Sequence, residues 1–325
     1  MLMPSDAQFG PAFKLVTEVC LFDRLRRRLE VFGNHAIARR QPLKVLSRFC
    51  NAEIINNWLG YPFLVSHQFG ALLIVEKGHH ATRSHYFFGV QDFEDELFAI
   101  HFLREGELFI DIGANLGIFS IMVGSTTGAR VIAVEPSPSS TRVFKRHIAL
   151  NDLGDRITLI EAAAGDRNDA AFIKNSVDMD NFVVVSDVDL SSGMAKIPMI
   201  CIDDVIDANA PCVMKMDVEG FEMQALKGAT KLLNNQNLQA ITIEISDFSR
   251  RYGVPPQETH KYIARHGFTA VTYDPLTRTL TPILATGRSR HPALYNYKTI
   301  YVRNVEEAKK RLSGAPRRSL YAIQI

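Results

Sequence analysis

The chain has 325 residues, of which 46% are hydrophobic and 22% charged, with a net charge of +2. This is the balance of an ordinary globular protein with a sizeable core in one or two domains, and it excludes a protein that attracts nucleic acid through bulk charge. The charge is uneven: residues 1–50 hold nine Lys/Arg against four Asp/Glu, residues 301–325 hold six against two, and the middle is therefore net acidic. The four cysteines (Cys20, Cys50, Cys201, Cys212) form no C-x-x-C pair, so neither a zinc site nor a disulfide framework is expected and a cytoplasmic location is the simplest reading. No leader pattern is evident, and no apolar run approaches the roughly 18–20 residues that span a bilayer.

In chain order, residues 11–32 read as an amphipathic helix. Phe13, Val16, Leu21, Leu25, Leu29 and Phe32 recur at helical spacing among Arg24, Arg26, Arg27 and Arg28. Its basic face is a solvated surface or, on a sharper reading, a peripheral membrane contact. More helix is expected over 42–59, short strands at 61–66, 71–77 and 86–90, and a helix at 94–103. His79, His80 and His85 fall near this hairpin and read first as an exposed turn, with a metal site or a substrate role as alternatives. From Leu108 apolar strands alternate with helical segments, the pattern of a parallel sheet covered on both faces. Strands are expected at 108–113, 130–135, 157–162, 212–217, 240–245, 268–273 and 298–303, with helices near 115–125, 138–150, 221–233 and 256–266. The stretch 168–205 breaks this rhythm and suggests an antiparallel insert. The domain reading is an extension over 1–90, a catalytic domain over 91–305 and a basic tail over 306–325.

The most informative run is Leu108-Phe-Ile-Asp-Ile-Gly-Ala-Asn-Leu-Gly-Ile-Phe-Ser120. A dinucleotide loop wants G-x-G-x-x-G so that a pyrophosphate can approach the helix N-terminus. Here the spacing is Gly113-x-x-x-Gly117, with Asp111 before it. An acid there suits the ammonium of a sulfonium cofactor, so S-adenosylmethionine is favoured over NAD, with Gly113, Ala114, Asn115 and Gly117 as the loop. Glu135, eighteen residues after Gly117, ends the second strand and can accept both hydroxyls of a ribose; Pro136 follows, and Ser137-Pro138 can cap and open the next helix. Ala162–Ala164 would leave room for a flat adenine, with Asp166 accepting from its amino group. Met214-Lys-Met-Asp-Val-Glu-Gly-Phe-Glu222 brings Lys215, Asp217, Glu219 and Glu222 to a strand end, where open α/β sheets bind ligands. Glu222 can equally be a structural acid at a helix N-terminus.

Together these segments resemble the FkbM-type family of S-adenosylmethionine-dependent methyltransferases over roughly residues 90–305. The resemblance rests on Ile110-Asp-Ile-Gly-Ala-Asn-Leu-Gly117, Val134-Glu-Pro136, Asn151, Ile202-Asp-Asp-Val205, Lys215-Met-Asp-Val-Glu-Gly-Phe-Glu222 with Leu226-Lys-Gly228, Glu244, and Tyr295-Asn-Tyr297. It implies a class I, Rossmann-like methyltransferase fold of seven mostly parallel strands, with helices on both faces and an N-terminal helical and short-strand extension. The implied activity is methyl transfer, usually to oxygen, on a sugar, glycan, lipid or secondary metabolite. Cys201 stands where such sequences usually carry threonine.

The expected catalytic residues are Asp217 and Glu219 as bases, with Lys215 tuning an acid. A Mg2+ held by Asp217, Glu219 and Glu244 would lower the pKa of a hydroxyl and orient a diol. The partner is then a small-molecule or glycan acceptor rather than nucleic acid. Two other classes stand against this reading: an NAD(P)-dependent oxidoreductase, opposed by the glycine spacing, and a silent or RNA-directed module on the same fold, suggested by the basic ends.

Overall fold

The computed structural model describes Gly33 and residues 35–174, 183–184, 194–283, 297–320 and 323–325. The basic helix expected at 11–32 lies outside these residues, as does any membrane contact through it. The described chain opens with helices α1 (Ala36–Arg40) and α2 (Pro42–Ala52), the latter started by a proline at its first position, and a π-helical turn at Glu53–Trp58. Strands β1 (Phe63–Ser66) and β2 (Leu72–Val75) form an antiparallel hairpin.

The strand expected at 86–90 does not form. Helix α3 (His80–Phe88) occupies that stretch and stops at Gly89, with φ +85°. Thr82, His85 and Phe88 are buried three residues apart, a helical face that a five-residue apolar run cannot by itself reveal. Helix α4 (Phe93–Phe102) follows, with Glu94, Asp95 and Glu96 in its first turn, where the helix dipole favours acids.

The regular α/β portion begins with β3 (Leu108–Ile112), α5 (Ile118–Thr127), β4 (Arg130–Val134), α6 (Pro138–Leu150) and β5 (Ile157–Ile160). Ser137 caps α6 by accepting from the Ser140 N–H, and Pro138 takes the first helical position, as expected. The insert is a separate sheet of β6 (Ala163–Ala164), β7 (Asp169–Lys174), β8 (Val183–Val184) and β9 (Met194–Ile200), antiparallel except for β6 beside β9. The main sheet resumes with β10 (Cys212–Met216), α7 (Glu222–Lys227), α8 (Thr230–Asn234), β11 (Leu238–Ile245), α9 (Pro256–Arg265), β12 (Thr269–Asp274), β13 (Thr279–Pro282) and β14 (Tyr297–Val302).

Among the described residues the main sheet has eight strands rather than seven, in the order β13-β12-β14-β11-β10-β3-β4-β5. The pairs from β11 to β5 are parallel and those involving β14 or β13 are antiparallel. The helix expected over 221–233 breaks into α7 and α8 at Gly228, where a Cβ would lie 1.9 Å from the Gly165 carbonyl oxygen.

Alternate residues of the central strands feed two cores. Phe109 and Val213 face one side and Ile110 and Met214 the other. The first core also takes Ile37, Val45, Leu73 and Phe98, so the N-terminal elements complete the same core as α5 and α6. Polar contacts add to this. Asn151 accepts from the Leu72 N–H (2.6 Å) and donates to the Leu72 carbonyl (2.9 Å). His147 Nε2 accepts from the Ile74 N–H (3.1 Å), which leaves Nδ1 to donate to the Leu116 carbonyl (3.1 Å). Burial holds this imidazole neutral, with its pKa pushed down to about 4.

The expected basic tail is folded instead. Helix α10 (Val305–Ser313) leads to a small hairpin, β15 (Ser319–Leu320) with β16 (Ile323–Gln324). Its arginines bind the body of the protein: Arg311 pairs with Glu107 and donates to the Phe102 carbonyl, and Arg318 donates to the Thr126 carbonyl.

Gly117 has φ +77°, and a Cβ there would lie 1.9 Å from the Phe144 ring. Gly117→Ala combines left-handed strain with overpacking and should cost roughly 2–4 kcal/mol in urea denaturation. Adding Phe144→Ala should make the two losses less than additive; strict additivity would rule the contact out.

Candidate functional site

The C-terminal ends of β3, β4 and β10 open into one cleft of about 1020 Å³, counting the open space at its mouth. The loop Gly113–Asn115 forms its floor. The N–H groups of Gly113 and Ala114 both donate to the Val134 carbonyl, at 2.9 and 3.2 Å. Gly113 has φ +78°, and a Cβ there would sit 1.9 Å from the Asp217 carbonyl oxygen. The glycine therefore makes room for the neighbouring strand end. Gly117, also expected in the cofactor loop, does not line the cleft; it makes room for Phe144.

Glu135 lines the cleft from the end of β4. Its Oε2 accepts from the Asn115 N–H and its Oε1 from the Ser137 N–H, both at 2.8 Å. Asn115 reaches this position in the left-handed region, φ 52°. Burial pushes the Glu135 carboxyl up to about 7, although both N–H donors favour its ionised form. Each oxygen retains a lone pair for a ligand hydroxyl. Ala114 and Pro136 line the same wall, and Ala162, Ala163 and Ala164 form a shelf of small side chains.

Asp111 is fully buried and does not line the cleft. It accepts from Ser120 Oγ (2.7 Å) and pairs with Lys215 Nζ (3.2 Å), which also donates to the Gly113 carbonyl (2.9 Å). The acid expected to meet a ligand ammonium acts here through Lys215, which ties β10 to the glycine loop. Burial opposes the charge on Lys215, but Asp111 and Asp217 hold its pKa above the ordinary lysine value. Asp166 also lies away from the cleft, pairing with Arg167 at 3.2 Å.

The expected catalytic acids Asp217 and Glu219 line the cleft, while Glu222 of the same block is buried, with Oε1 accepting from the Gly220 N–H at 2.9 Å. Glu222 is thus the structural acid of the turn before α7. Lys298, on β14, sits among the carboxylates. Its Nζ lies 2.5 Å from Asp92 Oδ2, 3.5 Å from Asp217 Oδ2 and 3.6 Å from Glu244 Oε2. Burial works against this ammonium, yet Asp217, Asp92 and Glu244 hold its pKa well above the ordinary value. Burial would also raise Asp217, but Lys298 and Lys215 hold it below the usual carboxylate range, making it a weak proton acceptor.

The trio Asp217, Glu219 and Glu244 was expected to hold Mg2+, and that expectation is corrected. Glu244 does not line the main cleft, and the ammonium of Lys298 lies between it and Asp217. Among the described residues no three His, Cys, Asp or Glu side chains are arranged to hold a metal.

The far wall comes from the N-terminal elements. His79 and His85 are buried, not in an exposed turn; His80 is exposed. His85 lines the cleft, donating from Nε2 to Glu96 Oε2 (2.9 Å) and from Nδ1 to the Ala81 carbonyl (2.8 Å). Glu96 Oε1 accepts from the N–H groups of Gln91 and Asp92, both at 3.1 Å, and so aims Asp92 at Lys298. Burial favours the neutral forms of both groups, but their mutual attraction raises His85 and lowers Glu96. Sequence reasoning missed Asp92, Glu96 and Lys298, and gave His85 a substrate role only as an alternative to an exposed turn. The available signals were the acidic run Asp92–Glu96 and a lone lysine entering an apolar strand.

Two outcomes check this geometry. Glu96→Gln should cost about 3–5 kcal/mol, because it removes the partner of a buried charge. By NMR His85 should titrate above 6.5 in the native protein and below it in the variant. The stabilisation from His85 is full below 6.5 and fades as pH rises through its folded value. Mg2+ or EDTA at millimolar levels should leave the melting temperature unchanged; a rise with Mg2+ would contradict the role given to Lys298.

Among the described residues no helix is long and apolar enough to cross a membrane. Residues 111–270 match the family model described as the methyltransferase FkbM domain. The hexuronic acid methyltransferase AglP of Haloferax volcanii is 27% identical over 166 residues, 50% of this chain and 63% of that protein. Among solved structures, methyltransferase FkbM from Methylobacillus flagellatus shares 19% identity at a TM-score of 0.41, covering 68% of this chain and 54% of that one. SMU.1697c from Streptococcus mutans, solved in complex with SAH, shares 9% identity at a TM-score of 0.36, covering 64% and 94%. The chain spans less than two thirds of the length of the first two relatives. The segment that matches the FkbM domain model holds the glycine loop, Glu135 and the Lys215–Glu222 block within a doubly wound, Rossmann-like sheet.

Proposed function

We propose that this protein transfers a methyl group from S-adenosylmethionine to a hydroxyl oxygen of a sugar-like acceptor. The observation that carries the donor assignment is Glu135: a buried carboxylate at the end of the second parallel strand, fixed by two backbone N–H groups and facing the same cleft as the alanine shelf. Its remaining lone pairs suit the two hydroxyls of a ribose, and Ala162–Ala164 leave space for a flat base. When bound, the donor supplies a methyl group on a sulfonium whose leaving group is a neutral thioether. The sugar class is supported by the name of the Haloferax relative, a hexuronic acid methyltransferase.

The chain's own contribution is alignment and electrostatics. Orientation of a bound pair can lower a barrier by about 7–11 kcal/mol in favourable cases. Lys215 and Lys298 hold Asp217 anionic at the cleft wall, where a fixed negative charge favours a cationic ligand. Glu244 suits proton acceptance better than Asp217. Burial, Asp217 and Asp92 raise its pKa, against the opposing pull of Lys298. The free thiols of Cys50, Cys201 and Cys212 suit a reducing, cytoplasmic compartment.

Calorimetry tests the donor assignment. Hydroxyl donors favour ionised Glu135, so affinity for S-adenosylhomocysteine should fall as pH drops through about 7. Glu135→Gln should flatten that dependence, and Glu135→Ala should weaken binding by roughly tenfold to hundredfold, equivalent to about 1–3 kcal/mol. Unchanged affinity in the alanine variant would remove Glu135 from the site.

A further inference from the structure

A second cleft, of about 1520 Å³ including the space at its mouth, lies on the other side of Asp92 and Lys298. Gln91, Asp92 and Lys298 line both clefts, so the two adjoin at these three residues. Glu94, Asp95 and Glu244 line the second cleft and not the first, beside an apolar surface that includes Val271 and Ile300. Asp95 is 7% exposed, and its Oδ1 has no hydrogen-bond partner among the described residues. A buried carboxylate oxygen without a donor is costly unless something supplies one.

We propose that this second cleft receives the methyl acceptor and selects an uncharged, polyhydroxylated molecule over one bearing a carboxylate or phosphate. The proposal rests on the reading of the first cleft as the donor site. Position supports it: a molecule in the second cleft meets the first at Asp92 and Lys298, beside Asp217. Charge supports it as well. The cleft is lined by four carboxyl groups, and the ammonium at its inner wall is already shared by Asp92, Asp217 and Glu244. His35, also on the wall, accepts from the Ile37 N–H at Nδ1, and burial lowers its pKa. Arg39 donates to the Gly33 carbonyl. Carboxylates accept hydrogen bonds, which hydroxyls can donate and a second carboxylate cannot. Burial and the neighbouring acids raise Glu94, Asp95 (to about 8) and Glu244, so the rejection of a carboxylate is fullest above pH 8, where Asp95 too is ionised. The apolar strip suits the C–H face of a sugar ring.

The test uses the full chain saturated with S-adenosylhomocysteine, whose binding is first measured by calorimetry. Failure at that step counts against the donor reading alone. Methyl glycosides of glucose, mannose and galactose are then compared with those of glucuronate and galacturonate by saturation-transfer NMR titration. At least one neutral glycoside should bind tenfold or more tightly than its uronate. Asp95→Asn combined with Glu244→Gln, checked for an unchanged melting curve and S-adenosylhomocysteine affinity, should bring the pair to within about threefold. Equal or tighter uronate binding, no binding by any neutral glycoside, or discrimination that survives in the double variant would each overturn the proposal. If that variant unfolds, Glu244→Gln alone must at least halve the discrimination.

Discussion

The ammonium of Lys298 is the contact on which the site depends. Asp92 comes from the turn before α4, Asp217 from the end of β10 and Glu244 from β11, and all three meet the same nitrogen on β14. Two like charges about 4 Å apart repel by about 4 kcal/mol at the effective dielectric of a protein surface. Three carboxylates could not converge there without a cation. Lys298 therefore holds together a strand end, its neighbour and the N-terminal wall, and it occupies the position where a divalent metal would otherwise be sought. Because the lysine is covalently part of β14, its charge is always present and its placement is set by the antiparallel register of Glu244 with Lys298.

A second constraint is close backbone approach. Gly117 presents no backbone to the cleft, and Gly113, which lines it, also makes room for a neighbouring strand end. Gly113 admits the Asp217 carbonyl and Gly117 admits the Phe144 ring. Lys215 then crosses the same gap, bridging Asp111 and the Gly113 carbonyl. The glycine run and the Lys215–Glu222 block are two sides of one packed joint, which is why both motifs occur together in this chain.

Most of the sheet was legible because parallel strands buried on both faces leave near-continuous apolar runs, such as Leu108–Ile112 and Cys212–Met216, each broken by one charged residue. Glu135 and the Ser137-Pro138 cap were legible because both are local: a strand end and a helix start. What stayed hidden was the part made by distant pairing. Lys298 meets Asp92 across 206 positions of chain, and His85 meets Glu96 only across the turn that joins α3 to α4. Asp111 was read as facing the ligand. Strand periodicity gives the face on which a residue lies but not which ion it meets, and the buried partner here is a lysine on the adjacent strand. Helix α3 was misread because a short apolar run fits either period.

The tie formed by His147 bears on how this fold can diversify. One imidazole joins the edge of the N-terminal hairpin, at Ile74, to the carbonyl of Leu116 in the glycine turn, and Asn151 clasps Leu72 one helical turn later. The extension is therefore tied to the glycine turn through His147 of α6 and held in place by Asn151, which caps that helix. A graft that exchanged residues 63–103 for those of a relative while keeping this α6 would set two unmatched polar side chains against a foreign strand edge. The unit of exchange is the hairpin together with α6, so a change in the far wall of the cleft and a change near its glycine floor would travel as one piece.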